Sequence, residues 1–131
     1  MAYLIDADWA IDALGGHRDA RPILESLMGV GVSISWVTVG EIYEGAFRSP
    51  DPQSHLDVFR TFLDFFPVLD LNDDIMERFA SIRALLRRKG QIIPDLDIVL
   101  AATALHYDLT VLTYDVGHFR RIPGLKVYQT P

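Results

Sequence analysis

The sequence predicts an α/β fold: a three-layer sandwich in which a mainly parallel sheet of four to five strands carries helices on both faces. Three observations lead there. Short apolar or β-branched runs alternate with segments of helical periodicity along the whole chain. Half of the 131 residues are hydrophobic and 23% are charged, which suits one buried core, so residues 1–131 are read as a single domain. Acidic residues also recur just after the runs that read as strands, where parallel sheets bind their ligands.

Each element follows from local chemistry. Tyr3-Leu4-Ile5 is a short apolar strand ending at Asp6. Asp8 is placed to cap a short helix through Ala13-Leu14, which Gly15-Gly16 stops. A second helix runs from Ala20 to Met28, with Pro22 in its first turn. Val30 to Ser35 alternates as a strand does. Thr38 then caps a helix from Val39 to about Arg48, with Glu41 in the capping-box position.

Ser49-Pro50-Asp51-Pro52 breaks the chain before a helix from Ser54 to Phe66. There Leu56, Phe59, Phe62, Leu63 and Phe66 share one face. Pro67 precedes a short strand, Val68 to Leu71. Asn72 caps a helix that runs to about Lys89 and ends at Gly90. Asp95 or Asp97 opens an apolar helix, Ile98 to His106. Leu109 to Thr113 is a strand followed by Tyr114-Asp115, and Leu125 to Tyr128 is a short last strand.

Composition narrows the function. The absence of cysteine excludes a disulfide scaffold, thiolate zinc and a cysteine nucleophile. No apolar run approaches the roughly 20 residues that span a bilayer, and the first residues lack a basic leader. A soluble, cytoplasmic protein without membrane contact is the expectation. The net charge of −6 argues against a broadly basic nucleic-acid surface, but acids gathered around a metal would produce the same total. Asp far outnumbers Glu, and Asp favours caps, turns and metal sites over helix interiors.

Asp6 and Asp115 follow strands, Glu41 lies early in the helix after a strand, and Asp97 opens the helix before one. All four are therefore expected at one rim of the sheet. Crowded carboxylates raise one another's pKa unless a cation joins them. Mg²⁺ or Mn²⁺ prefers such oxygens, and a metal-activated water attacks phosphodiesters. Each acid also has a plainer reading. Asp8 and Asp95 read best as helix caps. Glu41 suits a capping box, Asp97 the positive end of a helix dipole, and Asp115 a turn. The four histidines show no metal spacing; His106 reads as structural, and His118 lies near Asp115.

With these residues in place, the chain resembles the PIN-domain family, and within it the VapC-type toxins of toxin–antitoxin pairs. Leu4-Ile5-Asp6-Ala7-Asp8 resembles the opening motif. Val37 to Gly45, containing Thr38 and Glu41, resembles the second. Ile93 to Ala104, containing Asp97 and Ala101-Ala102, resembles the third, and Leu112 to Phe119 the fourth, with Ile122 to Val127 as its tail. The resemblance implies an endoribonuclease that uses Mg²⁺ or Mn²⁺ on an RNA substrate. It also implies a homodimer silenced by a cognate antitoxin, and Asp6, Glu41, Asp97 and Asp115 as catalytic and metal-holding residues. Asp97 takes the third place over Asp95 because it stands four residues before Ala101-Ala102. Asp8 replaces the usual Asn or Ser, and Trp9 replaces a smaller aliphatic residue.

Two other readings compete. A haloacid-dehalogenase-like phosphatase would use Asp6 as nucleophile, but it also wants a lysine near the phosphate, and only Lys89 and Lys126 exist. An inactive PIN-like module would bind RNA or a partner without chemistry. For the antitoxin, the helix carrying Phe59 and Phe62 is expected to form an open clamp with the helix before it. A basic side chain of the antitoxin would then reach the acidic rim.

Overall fold

A computed structural model of the chain describes residues 2–129. Five strands lie parallel in the order β3-β2-β1-β4-β5: β1 (Ala2–Ile5), β2 (Val32–Ser35), β3 (Val68–Leu69), β4 (Leu109–Leu112) and β5 (Lys126–Val127). Each parallel pair needs a crossover. The first crossover uses α1 (Ala7–Gly15) and α2 (Ala20–Met28); the second uses α3 (Trp36–Phe47) and α4 (Pro52–Leu63). The chain then passes to the other face through α5 (Asp73–Arg88) and α6 (Asp95–Tyr107), and reaches β5 through the single turn of α7 (Val116–Phe119).

Side-chain alternation along the strands builds two cores. Leu4 and Val111 face α5, α6 and α7, where they meet Ile75, Leu86, Ile98 and Phe119. Ile5 and Leu112 face the other way and pack with Trp9, Leu24, Ile34, Val39 and Phe66. Helix α6 is buried from Asp97 to Ala104, which explains its lack of a polar face. Its Thr103 hydroxyl donates back to the Val99 carbonyl at 2.8 Å, so the buried oxygen has a partner.

The element boundaries depart from expectation where two residues compete for one cap. Asp6, not Asp8, caps α1: β1 stops at Ile5, and the Asp6 carboxylate accepts from the Ala7 amide at 2.8 Å. Ser35, not Thr38, caps α3, because β2 ends there; its hydroxyl accepts from the Val37 amide at 3.2 Å. Thr38 is already inside the helix, fully buried. Helix α4 starts at Pro52, capped by Asp51, and stops at Leu63, so Phe66 reaches the core from the turn beyond it. Helix α7 was not anticipated, since one turn leaves no periodic signal. Asn72 caps α5 as expected, accepting from the Ile75 amide at 2.9 Å. No helix among the described residues is long and apolar enough to cross a membrane.

Candidate active site

Strand order reverses between β1 and β4: the chain leaves β1 towards β2 on one side, and β4 pairs on the other. Loops from adjacent strands diverge there, opening a crevice at the carboxyl ends. Asp6 is the first residue past β1, and its amide extends the ladder by donating to the Leu112 carbonyl at 2.9 Å. Past β4, the Thr113 hydroxyl donates to Asp6 Oδ2 at 2.8 Å and accepts from the Asp115 amide at 3.0 Å. One hydroxyl therefore ties Asp6 to the loop that carries Asp115. Asp8 fastens the same loop: its Oδ2 accepts from the Tyr114 amide at 3.0 Å. Asp97, in the first turn of α6, accepts from His118 Nδ1 at 2.8 Å.

Two triads of ligand atoms result. Oxygens of Asp6, Asp8 and Asp115 lie within 4.8 Å of one another, and so do ligand atoms of Asp97, Asp115 and His118. Asp115 belongs to both. Glu41, on α3, is outside these triads but close enough for the charges of Asp6 and Asp97 to act on it. Asp95 lies apart: it is exposed and grips Arg83, with the closer contact at 2.7 Å, which lowers its carboxyl pKa. His106 also lies apart, 3.4 Å from the Asn72 amide. Asp8 and His118 are the additions. By sequence Asp8 reads as a cap. His118 stands three residues after Asp115, a spacing that places both on one side of a helical turn, but a single turn leaves no periodic signal in the sequence.

The site strains against its own charge. Asp6 is 5% exposed and Asp97 9%, so neither is well solvated. Burial pushes the Asp6 carboxyl up, against hydrogen bonds from Thr113 and Ala7, and the charges of Asp97 and Asp115 push further. Burial and then the Asp6 charge raise Asp8 from 3.8 to about 7. Burial, Asp6 and Asp97 raise Glu41 from 4.5 to about 7. Burial also raises Asp97, opposed by His118. These carboxyls hold protons in the fold that the unfolded chain has already released, so stability falls as pH rises through that window. Without divalent cation, the melting temperature should be higher near pH 5 than near pH 7.5. Asp8→Asn should flatten the difference. A cation-free melting temperature that climbs across the window would contradict this picture.

Oxygen ligands at this spacing are the donor set of a hard divalent cation, and an imidazole at the edge is compatible with one. A parallel sheet with carboxylates massed at its switch point defines a class of protein, the acid-rimmed α/β domains able to hold such an ion. The PIN domain family model matches residues 3–125, and the chain belongs to that family. Over 94 residues it is 34% identical to the tRNA(fMet)-specific endonuclease VapC of Salmonella typhimurium, covering 72% of this chain and 71% of that one. The crystal structure of DNA-bound VapBC from the same organism superposes with a TM-score of 0.89 at 27% identity, over 98% of this chain and 97% of the other. VapBC2 from Rickettsia felis, solved on a DNA fragment from its promoter, superposes with a TM-score of 0.91 at 24% identity over the full length of both chains.

Proposed function

We propose that the chain is a VapC-type endoribonuclease, the toxin of a toxin–antitoxin pair, with Asp6, Glu41, Asp97 and Asp115 as its catalytic and metal-holding residues. The carrying observation is the Thr113 hydroxyl, which draws Asp6 and the Asp115 loop together at the switch point while Asp97 arrives from α6. Mg²⁺ or Mn²⁺ held there would supply Lewis acidity, favouring hydroxide over water and stabilising charge on phosphoryl oxygens. Asp6, Asp97 and Asp115 would hold the ion, with Glu41 completing the acidic set from α3. Thr113 fixes the approach of Asp6, and His118 fixes the rotamer of Asp97, leaving that carboxylate's other oxygen for the ion. Glu41, half-buried and titrating near neutrality, would orient the attacking water.

The phosphatase reading loses support from the lysines. Lys89 is the exposed C-cap of α5, and Lys126 pairs with Asp108 at 2.7 Å, at the opposite end of β4 from the acids. The antitoxin would dock on an apolar groove of about 390 Å³ between α2 and the end of α4, lined by Leu24, Met28, Phe62, Phe65 and Phe66. This differs from the clamp drawn from sequence. The α3–α4 cleft exists, with Trp36, Tyr43 and Arg60 on its walls, but Phe59 and Phe62 are not among its lining residues. The turn after Leu63 aims the later rings at α2 instead. The working form would be a cytoplasmic homodimer.

The test is direct. Purified protein should cut total bacterial RNA in the presence of Mn²⁺ or Mg²⁺ and stop in EDTA, and the antitoxin encoded beside it should block the reaction. Undiminished cleavage in EDTA would refute the mechanism.

A further inference from the structure

A second opening, of about 280 Å³, lies beyond the carboxyl ends of β4 and β5, beside the acidic rim. Its lining includes the aromatic rings of Trp9, Tyr114 and Tyr128, together with Thr113, Arg120 and Gln129. Burial orders these groups. Trp9 is 3% exposed and forms the back wall, while Arg120 and Gln129 are exposed at the mouth. Trp9 stacks on Tyr114 with ring centres 5.4 Å apart and meets Tyr128 edge-on at 5.8 Å. The Arg18 guanidinium lies 4.2 Å above the Tyr114 ring. Arg18 holds this place with a backbone φ of 51°, a left-handed conformation that an arginine rarely adopts. The Trp9 indole N–H is buried and has no partner among the described residues, an arrangement that costs stability.

We propose that this cavity receives one nucleobase of the RNA, next to the phosphodiester that is cut. The inference rests on the nuclease reading and adds a specificity site to it. Contiguity is the first argument: Thr113 lines the cavity, and its hydroxyl binds Asp6 and the Asp115 amide, so a group seated here adjoins the acids. The second is chemistry. Single-stranded RNA is read through unstacked bases held against aromatic side chains and bonded at their edges. Trp9 and Arg18 cover the two faces of Tyr114, so a base would meet Tyr128 and the ring edges of Tyr114 and Trp9, while the guanidinium and amide at the mouth would bond its own edge, as Arg and Gln both do. Size is the third, since the volume falls just under the roughly 300–1,000 Å³ of small-ligand clefts and suits a single ring system. Charge is the last. The protein is net acidic, and its acids repel a phosphate chain, yet Arg120 stands exposed in the lining of this cavity beside them.

The chain has two tryptophans, so Trp36→Phe leaves Trp9 as the sole reporter inside the cavity. In that background, without divalent cation, Trp9 fluorescence is titrated with AMP, GMP, CMP and UMP, and with ribose 5-phosphate as the base-free control. At least one nucleotide should give a saturable change that ribose 5-phosphate does not. Arg120→Ala and Gln129→Ala, with normal circular dichroism, should each weaken it about tenfold, or about 1.4 kcal/mol. On a random-sequence RNA pool, the same two variants should relax the base preference beside the cut. An equal response to ribose 5-phosphate, or variants that change neither nucleotide binding nor cut-site preference, would overturn the proposal. Nucleotide binding in a protein that cuts no RNA would remove the nuclease reading and keep the nucleobase site. Cleavage with no base-dependent response in either assay would do the reverse.

Discussion

Asp6→Asn and Asp97→Asn proteins should fold as the parent does and lose RNA cleavage by more than the roughly 10–100-fold that changes behind a metal's ligands produce. The structure explains why the fold survives. Asn caps helices about as well as Asp, so the Ala7 amide keeps an acceptor at position 6. The Thr113 hydroxyl can rotate to accept from the new amide and donate to Asp8, which lies 3.4 Å away. At position 97, an amide oxygen still accepts from His118. Only charge and one ligand oxygen are removed. Asp95→Asn, two residues away but paired with Arg83 on the surface, should leave cleavage intact. Initial rates on a fluorogenic RNA, with melting curves alongside, make the comparison. An Asp97→Asn protein that retains most of its rate would remove Asp97 from the chemistry.

Divalent cation should raise thermal stability by a large increment. A ligand that binds only the native state adds about 2.7 kcal/mol at a hundred times its Kd. At this chain length that is on the order of 10 °C in Tm. The physical source is the repulsion described above: Asp6, Asp8, Asp97 and Glu41 all resist ionisation in the metal-free fold. A cation converts that penalty into binding. Asp6→Asn should therefore melt higher than the parent without metal, gain less from Mn²⁺, and show a smaller pH dependence. Differential scanning calorimetry across a Mn²⁺ series reads all three. A parent protein whose melting ignores millimolar Mn²⁺ and Mg²⁺ has acids that do not form an ion site.

Much of this arrangement was legible because strands, helices and rim acids carry local signals. Leu4-Ile5-Asp6 announces a strand and the residue at its end, and the Asn72 cap announces α5. What escaped depends on contacts between distant segments. Asp6 and Asp8 are equally good caps by composition, and only the pairing of β1 with β4 decides between them by carrying the ladder to Asp6. Ser35 wins over Thr38 because β2 ends there, as expected, and α3 begins at once at Trp36, one turn before the capping-box pattern suggested. Asp97 and Asp95 were separated by the family motif, and the structure adds a physical difference: Asp97 is turned inward, Asp95 outward to Arg83. His118 carries no periodic signal, because its helix is one turn long and its partner lies on α6.

The placement of β1 between β2 and β4 also sets an order of events during synthesis. The first strand to leave the ribosome is the middle of the sheet, and one of its edges stays bare until Leu109–Leu112 has been made. The hydroxyl that anchors Asp6 arrives 107 residues after it. Such distant pairing is slow to form. A nascent chain thus holds Asp6 and Glu41 long before Asp115 exists, and translation must run past β4 and into the turn after it before the acidic cluster can assemble.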